Sequence, residues 1–400
     1  MKLPNNKLMK LPDDVNYILT ELDKNGHEGY IVGGCVRDYI MGIKPHDYDI
    51  TTSALPHEVK QIFSHTIDTG IKHGTVTIMI DKIGYEITTY RIDGEYKDNR
   101  HPEQVIFTNK LIGDLARRDF TVNAIAYNNK NGYVDAFNGI KDIQSMIIRG
   151  VGDPNIRFQE DALRMMRAIR FSAQLNFSIE DNTLLAIKEN AELIKNISSE
   201  RIREEFFKLL MSRHNEKLSL LIQSGLAEYI LPELLKTKAD FENINLMSSD
   251  ISIRLAYLFN NIEPAIIKAM LKRLHTDNKT ITKVTKLIEY NKYKITDNYS
   301  IRKLISHIDI LTPALIEVLA VINNKDMSQE LTIYESLKND CCKLEQINLN
   351  GKDLTRIGIK GKDIGNYLDM ALDLVLHYPD KNKRSILINY IKENLPCQKH

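Results

Sequence analysis

The stretch YIVGGCVRDYIMGIKPHDYDITT, residues 30–52, joins an apolar run to a glycine pair, an arginine and an Asp-x-Asp pair. The letters GYIVGG predict a buried strand that ends in glycines, and CVRDYIMG predicts a short helix that ends at Gly42. A pair such as Gly33 and Gly34 before a helix lets backbone amides approach a phosphate, and Arg37 could add a charge-assisted contact. On its own, a glycine pair after a strand is more often a simple turn.

The Asp-x-Asp pair lies in HDYDITT, which alternates polar and apolar residues. A strand there would project Asp47 and Asp49 from one face. Two carboxylates this close repel each other unless a cation lies between them, and Mg²⁺ binds carboxylate oxygens while retaining waters and phosphates. Two such ions about 4 Å apart can support nucleotidyl transfer. Glu86, on the strand predicted from GYEITTY, could complete the site, although solvated surface acids give the same pattern.

The chain as a whole has 400 residues, which is too long for one ordinary core and predicts two or more domains. Its formal net charge is only +1, so local basic patches would have to hold any polyanionic partner. Four cysteines without C-x-x-C spacing argue against a zinc site or a disulfide scaffold. Because no signal-peptide core and no apolar run of about 18 residues is apparent, we expect a cytoplasmic protein without a membrane partner.

Glycine usage changes near residue 150. Fourteen of the 19 glycines lie at or before Gly152, and between residues 153 and 350 only Gly225 occurs. Strand-like runs such as GTVTIMI and GYEITTY lie in the first part, whereas the remainder has apolar residues at helical spacing. The pattern predicts an α+β fold, with a mixed α/β first part and a helical remainder.

Five ordered blocks carry a resemblance to a known family. They read GGCVRD with HDYDITT, ARRDFTVNAIAY, VDAFNGIKDIQSMIIRGVGDP, RFQEDALRMMRAIRFSAQL and, less closely, SSERIREEFFKLL. Across these blocks, about residues 28–210, the chain resembles the bacterial class of CCA-adding tRNA nucleotidyltransferases and their poly(A) polymerase relatives. The resemblance implies a nucleotidyltransferase-type mixed-sheet catalytic head (1–150) followed by an all-helical neck (151–210), body (211–300) and tail (301–400).

The resemblance also implies roles for single residues. Asp47 and Asp49 would carry Mg²⁺, and Glu86 would be a third catalytic carboxylate. The implied nucleotide-binding residues are Gly33, Gly34, Arg37, Arg118, Asp119, Asn123, Asp161, Arg164 and Arg167. In this set the glycines and Arg37 would hold the triphosphate, and the block RRDFTVN would recognise the ribose. A helix-capping aspartate beside surface arginines would give the RRD pattern as well.

The segment EDALRMMRAIRF predicts a helix that turns Leu163, Met166 and Ile169 inward. On such a helix Asp161 and Arg164 are three residues apart and share a face. An acceptor beside a multiple donor can present a hydrogen-bond pattern like a Watson–Crick edge. In the family, the matching residues read the incoming base, CTP and then ATP, without a template. An ordinary intrahelical ion pair is the alternative interpretation.

Two further segments bear on the reaction. The charged loop RIDGEYKDNRHPEQVIF, residues 91–107, is expected to be mobile, and the resemblance gives such a loop a part in changing from C to A addition. The stretch RLAYLFNN has no His-Asp pair where some relatives carry a phosphohydrolase unit, so we expect no hydrolase metal site.

The implied reaction adds C, C and A to the 3′ end of tRNA and releases pyrophosphate. Its partners would be tRNA, CTP and ATP, acting on a monomer or homodimer. An enzyme that adds only A and a poly(A) polymerase remain alternatives within the family. A catalytically inactive RNA-binding module and a transferase that adenylylates small molecules are alternatives from other classes.

Overall fold

The computed structural model describes residues 9–94 and 105–395. The backbone divides into two compact units. Unit 1 is Met1–Lys236 with Arg273–His275, and unit 2 is Thr237–Lys272 with Thr276–His400. The finer division into head, neck, body and tail stays a prediction.

The described strands all lie in unit 1. They are β1 (Gly29–Val32), β2 (Asp49–Thr52), β3 (Thr66–Gly70), β4 (Thr75–Ile80), β5 (Ile83–Thr89), β6 (Arg91–Asp93), β7 (Val105–Phe107), β8 (Ala126–Asn128), β9 (Gly132–Val134), β10 (Ile147–Ile148) and β11 (Ser178–Ile179).

Seven strands form a mixed sheet in the order β3-β4-β5-β2-β1-β8-β9. The pair β2 and β5 is parallel, and the other neighbours in this sheet are antiparallel. The mixed-sheet head predicted from the sequence is therefore confirmed. Strands β10 and β11 form a separate parallel pair, and β6 and β7 form an antiparallel ribbon.

Eleven described α-helices belong to unit 1. They are α1 (Asp13–Lys24), α2 (Gly34–Ile40), α3 (Pro56–Ile62), α4 (Leu111–Ala116), α5 (Gly139–Ser145), α6 (Pro154–Glu160), α7 (Leu163–Leu175), α8 (Asp181–Asn190), α9 (Ser199–Leu210), α10 (Ser219–Gln223) and α11 (Leu226–Ile230). Short 3-10 helices in this unit are Ile71–His73, Thr121–Asn123, Ala191–Asn196, Asn215–Leu218 and Pro232–Lys236.

Unit 2 is helical throughout its described part. Its helices are α12 (Ile251–Leu258), α13 (Pro264–Arg273, which ends in unit 1), α14 (Asn278–Glu289), α15 (Asn298–Ile308), α16 (Thr312–Ile322), α17 (Ser328–Leu337), α18 (Gly351–Arg356), α19 (Asp363–His377) and α20 (Arg384–Glu393). Its 3-10 helices are Glu242–Leu246, Asp309–Leu311, Leu344–Gln346 and Pro379–Lys381. The helical remainder predicted from the apolar spacing is thus confirmed, with β11 as the one described strand after residue 151.

The segment predicted as a mobile loop, residues 91–107, begins with β6 and ends with β7. Its ends pair in the register Arg91↔Phe107 and Ile92↔Ile106. Residues 95–104 lie outside the described residues, so the expected mobility of the loop stays a prediction. What the structure adds is that paired strands hold both ends of the loop.

One helical segment of unit 2, Asn298–Ile322, is long and apolar enough by length and composition to cross a membrane. The sequence analysis missed this segment. A core helix of a globular protein meets the same criterion, and the neighbouring contacts favour that interpretation. Ile301 and Ile305 pack with Leu337 and Leu376 in one buried cluster, and Arg302 pairs with Asp340 at 2.7 Å.

Candidate active site

Three carboxylates lie near one another around the parallel strands β2 and β5. Asp49 is the first residue of β2, which runs beside β5 in the register Ile50↔Ile87. One residue earlier on each strand, Asp49 and Glu86 are therefore neighbours on the same face. Asp47 precedes β2, so the prediction that both aspartates lie on the strand is correct only for Asp49. All three carboxylates are exposed to solvent.

The electrostatics of Asp49 show that these groups influence one another. Partial loss of hydration raises the pKa of Asp49 above its ordinary value, and the charges of Asp47 and Glu86 raise it further. The Arg118 guanidinium acts in the opposite direction. Bringing an additional positive charge to Asp49 would relieve this repulsion.

The donor set suits a divalent cation, because carboxylate oxygens are the ligands that hard cations prefer. The described residues nevertheless contain no group of three or more His, Cys, Asp or Glu side chains already arranged around a metal position. The fit therefore rests on the chemistry of the carboxylates and on their mutual repulsion.

Gly33 keeps open the space beside these carboxylates. Its φ of 78° lies in the left-handed region, which favours glycine. A Cβ at this position would lie 3.2 Å from Nη1 of Arg118 and 3.9 Å from Oδ2 of Asp49. The Gly33 amide already donates to the carbonyl of Ile125 at 3.3 Å. Gly33 thus contributes its small size rather than a free N–H, which differs from the interpretation based on the glycine pair.

Gly34 and Arg37 lie on α2, immediately after Gly33. The buried Arg37 side chain donates from Nη1 to Oδ1 of Asn123 at 2.6 Å and from Nη2 to Oδ1 of Asp38 at 2.7 Å. Arg37 therefore reaches the RRDFTVN block, which lies more than 80 residues further along the chain. A Cβ on Gly34 would lie 3.5 Å from the Arg37 guanidinium.

Asp119 is the centre of a second buried network. It accepts hydrogen bonds from Nδ2 of Asn123 at 3.2 Å and from the Phe120 amide at 2.8 Å. Arg167 donates to it from Nε and Nη2 at 2.8 and 2.6 Å. Burial tends to raise the pKa of Asp119, but the charge and hydrogen bonds of Arg167 outweigh it and lower the pKa to about 2. The carboxylate of Asp119 is therefore ionised at neutral pH. Because it is buried, the alternative of a helix-capping aspartate at the surface is wrong.

The predicted continuous helix over EDALRMMRAIRF is wrong at its start. Helix α6 ends at Glu160, Asp161 has an extended backbone with φ of −137°, and α7 begins at Leu163. Asp161 and Arg164 therefore do not share a helical face in the predicted way. The inward packing of Leu163, Met166 and Ile169 is confirmed, because all three are buried.

Asp161 and Arg164 also have separate partners. Oδ2 of Asp161 accepts from Arg201 of α9 at 3.0 Å. Arg164 donates to Oε2 of Glu160 at 2.7 Å and to the carbonyl of Arg117 at 2.9 Å. The side chains of Asp161 and Arg164 do not pair with each other. The alternative interpretation, an intrahelical ion pair between these two residues, is therefore also wrong.

Two residues of this region were missed by the sequence analysis. Phe171 of α7 lies under three guanidinium groups, with ring-centre distances of 5.4 Å to Arg37, 5.2 Å to Arg167 and 4.0 Å to Arg170. Asp114 of α4 is fully buried against two arginines. The spacing of Asp114 three and four residues before Arg117 and Arg118 was a visible signal for such a contact on a helix.

Comparisons with known proteins agree with this architecture. Residues 29–149 match the family described as "Poly A polymerase head domain", and residues 176–237 match the family described as "Probable RNA and SrmB- binding site of polymerase A". The CCA-adding enzyme of Lactobacillus helveticus is 35% identical, over 97% of this chain and 99% of its own length. The CCA-adding enzyme of Enterococcus faecalis is 33% identical, over 97% and 98%.

Solved structures give the same result. The Bacillus stearothermophilus CCA-adding enzyme in complex with CTP has a TM-score of 0.79 and 29% identity, covering 96% of this chain and 98% of its own. The Thermotoga maritima CCA-adding enzyme complexed with tRNA shares the fold, with a TM-score of 0.67 and 20% identity over 97% of both chains. The resemblance predicted from the five sequence blocks is confirmed over almost the full length, and the chain belongs to the family of CCA-adding enzymes.

Proposed function

We propose that this protein adds C, C and A to the 3′ end of tRNA from CTP and ATP and releases pyrophosphate. The observation that carries the proposal is the position of Asp49, beside Glu86 on one side and beside Arg118 and Gly33 on the other, in a chain of this family. In the reaction the tRNA 3′ oxygen bonds to the α-phosphorus of the nucleotide, and the bond from that phosphorus to the leaving pyrophosphate breaks.

In this proposal three acidic side chains bind the metal ion and basic side chains bind the triphosphate. Asp47 and Asp49, with Glu86 alongside, would hold the divalent cation, in our proposal Mg²⁺, which supplies Lewis-acid activation of the attacking hydroxyl and offsets the triphosphate charge. The resemblance assigns Arg118 to the block that recognises the ribose; because its guanidinium lies beside Gly33, we propose instead that it attracts the triphosphate as a fixed cation. Arg37 would help to hold the triphosphate. Asp119 and Asn123 would receive the ribose, with Arg167 paired to Asp119 beside them.

The base would be selected at Asp161 and Arg164, which have different local anchors. Arg201 restrains one oxygen of Asp161, and Glu160 restrains Arg164. In our proposal the two side chains act as separately held contacts, and no direct bond between them is required.

Replacing Asp161 or Arg164 with Ala should impair nucleotide choice more than catalysis. We expect the ratio of kcat/KM for CTP to that for ATP to change by about 10- to 100-fold, because each lost contact to a base contributes about 1–3 kcal/mol. The measurement is single-nucleotide addition to tRNA ending before CCA and to tRNA ending in CC. Glu192→Ala is the control, since Glu192 forms an exposed ion pair with Lys195 only three residues away on its own helix. An unchanged ratio in both variants would remove these residues from base selection.

The proposed reaction is tested directly by product length. Purified protein is incubated with Mg²⁺ and with either of the two tRNAs, with CTP and ATP supplied singly and together. Extension of the shorter tRNA by three nucleotides only when both are present is the expected result. Extension of the CC-ending tRNA alone would identify an enzyme that adds only A, and long A tails on generic RNA would identify a poly(A) polymerase. Failure to extend any RNA would favour a binding module.

Other parts of the proposal follow from the same assignment. We place the protein in the cytoplasm with no membrane partner, as a monomer or homodimer. We retain head, neck, body and tail as the functional division of residues 1–150, 151–210, 211–300 and 301–400. Within this division, the helical regions would contact the tRNA backbone by charge and shape, as suits an enzyme that serves many tRNAs.

A further inference from the structure

Asp114 of α4 is fully buried, and none of the roles above uses it. Its Oδ1 accepts hydrogen bonds from Nε and Nη2 of Arg117, at 2.9 and 2.7 Å. Its Oδ2 lies 3.4 Å from Nη2 of Arg118 and accepts from the Thr51 hydroxyl at 3.2 Å. Burial tends to raise the pKa of Asp114, but Arg117 and Arg118 outweigh it, so the pKa lies below its ordinary value. Asp114 is therefore a buried anion that is compensated by two arginines.

Arg118 extends from Asp114 to the candidate active site. Its Nη2 pairs with Asp114, whereas its Nη1 lies 3.2 Å from the position of a Cβ on Gly33. The same guanidinium lowers the pKa of Asp49. Its Nε is buried and has no hydrogen-bond partner among the described residues. One side of this cation is thus held by Asp114, and the other side faces the space where the triphosphate would lie.

Thr51 connects Asp114 to the strand that carries the catalytic carboxylate. Thr51 is two residues after Asp49 on β2, so the two side chains lie on the same face. Its hydroxyl lies 3.1 Å from the Thr88 carbonyl and 3.2 Å from Oδ2 of Asp114, so its single proton is shared between β5 and α4. The buried Asp114 therefore contacts both β2, through Thr51, and the Arg118 guanidinium.

Competition between the two carboxylates explains why a buried anion is useful at this position. Without Asp114, Arg118 could pair with Asp49, whose pKa it already lowers, and a direct ion pair would neutralise the carboxylate that a cation must reach. Asp114 is the deeper of the two anions, since Asp49 is exposed and Asp114 is not. An Arg118 side chain that is anchored inside remains available to a ligand on its outer side.

We propose that Asp114 is a positioning residue of the nucleotide site, which holds Arg118 beside Gly33 and prevents it from closing onto Asp49. The inference rests on the proposed function for the identity of the nucleotides. Asp114 touches neither substrate nor reacting atoms in this account. It acts on both CTP and ATP equally, because Arg118 would contact the triphosphate that the two nucleotides share.

The test is a double-mutant cycle of Asp114→Asn and Arg118→Ala. Asn has the shape of Asp but lacks the charge that anchors Arg118. We expect Asp114→Asn to raise the KM for CTP and for ATP by about tenfold each, equivalent to about 1.4 kcal/mol, with a smaller change in kcat and no change in the CTP/ATP ratio. In the Arg118→Ala background, Asp114→Asn should add less than twofold. Equal effects of Asp114→Asn in the presence and absence of Arg118 would overturn the proposal.

Equilibrium binding of CTP without divalent metal provides a second readout of the same cycle. The expected result is again a loss of affinity on Asp114→Asn that disappears once Arg118 is Ala. This binding measurement distinguishes failure of the proposed function from failure of the positioning role of Asp114. Wild-type protein that extends no RNA but shows this coupling would end the proposed function and support the positioning role, whereas additive losses of affinity would end the positioning role alone.

Two further variants control for damage to the fold. Glu233→Gln removes the charge from a buried carboxylate that pairs with Arg273 at 2.8 Å in the same unit but contacts none of the site residues, so it should leave both KM values unchanged. If Asp114→Asn does not fold, Thr51→Val replaces it, since this variant removes the hydroxyl that contacts both Asp114 and the Thr88 carbonyl but leaves the carboxylate in place. We then expect a two- to threefold rise in KM that depends on Arg118; a rise that is independent of Arg118 would overturn the proposal.

Discussion

Asp49→Asn is expected to reduce kcat for nucleotide addition by on the order of 10³-fold, equivalent to about 4 kcal/mol of transition-state stabilisation. The variant keeps the size of the side chain but removes the charge that would hold a divalent cation at the start of β2. The same change should leave the free energy of unfolding equal or slightly higher. Partial burial, and then the charges of Asp47 and Glu86, raise the pKa of Asp49 in the folded protein, so the ionised form is less favourable there and removing its charge relieves that cost.

The measurement combines single-turnover addition to tRNA with thermal unfolding of the same preparation. Asp68→Asn is a matched control, because Asp68 is an exposed aspartate on β3 of the same sheet and pairs only at the surface with Lys60. The control should change neither rate nor stability by a measurable amount. An Asp49→Asn protein that retains wild-type kcat would exclude Asp49 from the chemistry, and one that loses stability together with activity would indicate a structural role.

Gly139→Ala is expected to destabilise unit 1 by about 3 kcal/mol, the upper end of the range for overpacking. A Cβ on Gly139 would lie 2.1 Å from the carbonyl oxygen of Thr121 and 2.8 Å from Cγ1 of Ile125. The backbone carbonyl cannot rotate away as a flexible side chain would. The 3-10 helix Thr121–Asn123 would have to move, and Asn123 with it, so nucleotide affinity should fall as well as stability.

Urea unfolding and CTP binding check both effects. The control is Gly365→Ala in α19, where a Cβ meets no atom within 4 Å. Since Ala is favoured over Gly inside a helix, this control should raise stability by about 0.5–1 kcal/mol. A Gly139→Ala protein with wild-type stability would mean that the Thr121–Asn123 segment relaxes at little cost. Wild-type CTP affinity in a destabilised variant would separate this packing contact from the nucleotide site.

Local patterns in the chain were sufficient for much of the fold. Apolar spacing placed the buried strand β1 and the helical unit 2, and left-handed glycines such as Gly26 and Gly42 follow the helices α1 and α2. These features depend on neighbouring residues, so a short window of sequence contains the information that decides them. The order of the five blocks likewise identified the family.

Partners that are distant in the chain had to come from the packed structure. Arg37 bonds to Asn123 across 86 residues, and Asp119 bonds to Arg167 across 48 residues. No local period encodes such pairs, because each depends on how the sheet and helices pack. The break at Asp161 is similar: the sequence has no proline or glycine there, and the extended backbone accompanies the tertiary bond to Arg201.

In the candidate site, too, the sequence identified some features of individual residues and only the packed structure showed the others. Sequence spacing named the carboxylates, the glycine pair and the RRD block, because these are short motifs whose chemistry is local. It did not show that the Gly33 amide is already bonded to Ile125, or that the buried Asp114 holds Arg118. Hydrogen-bond satisfaction and burial are properties of the assembled core, in which every buried charge must find its partner from whichever strand or helix packs against it.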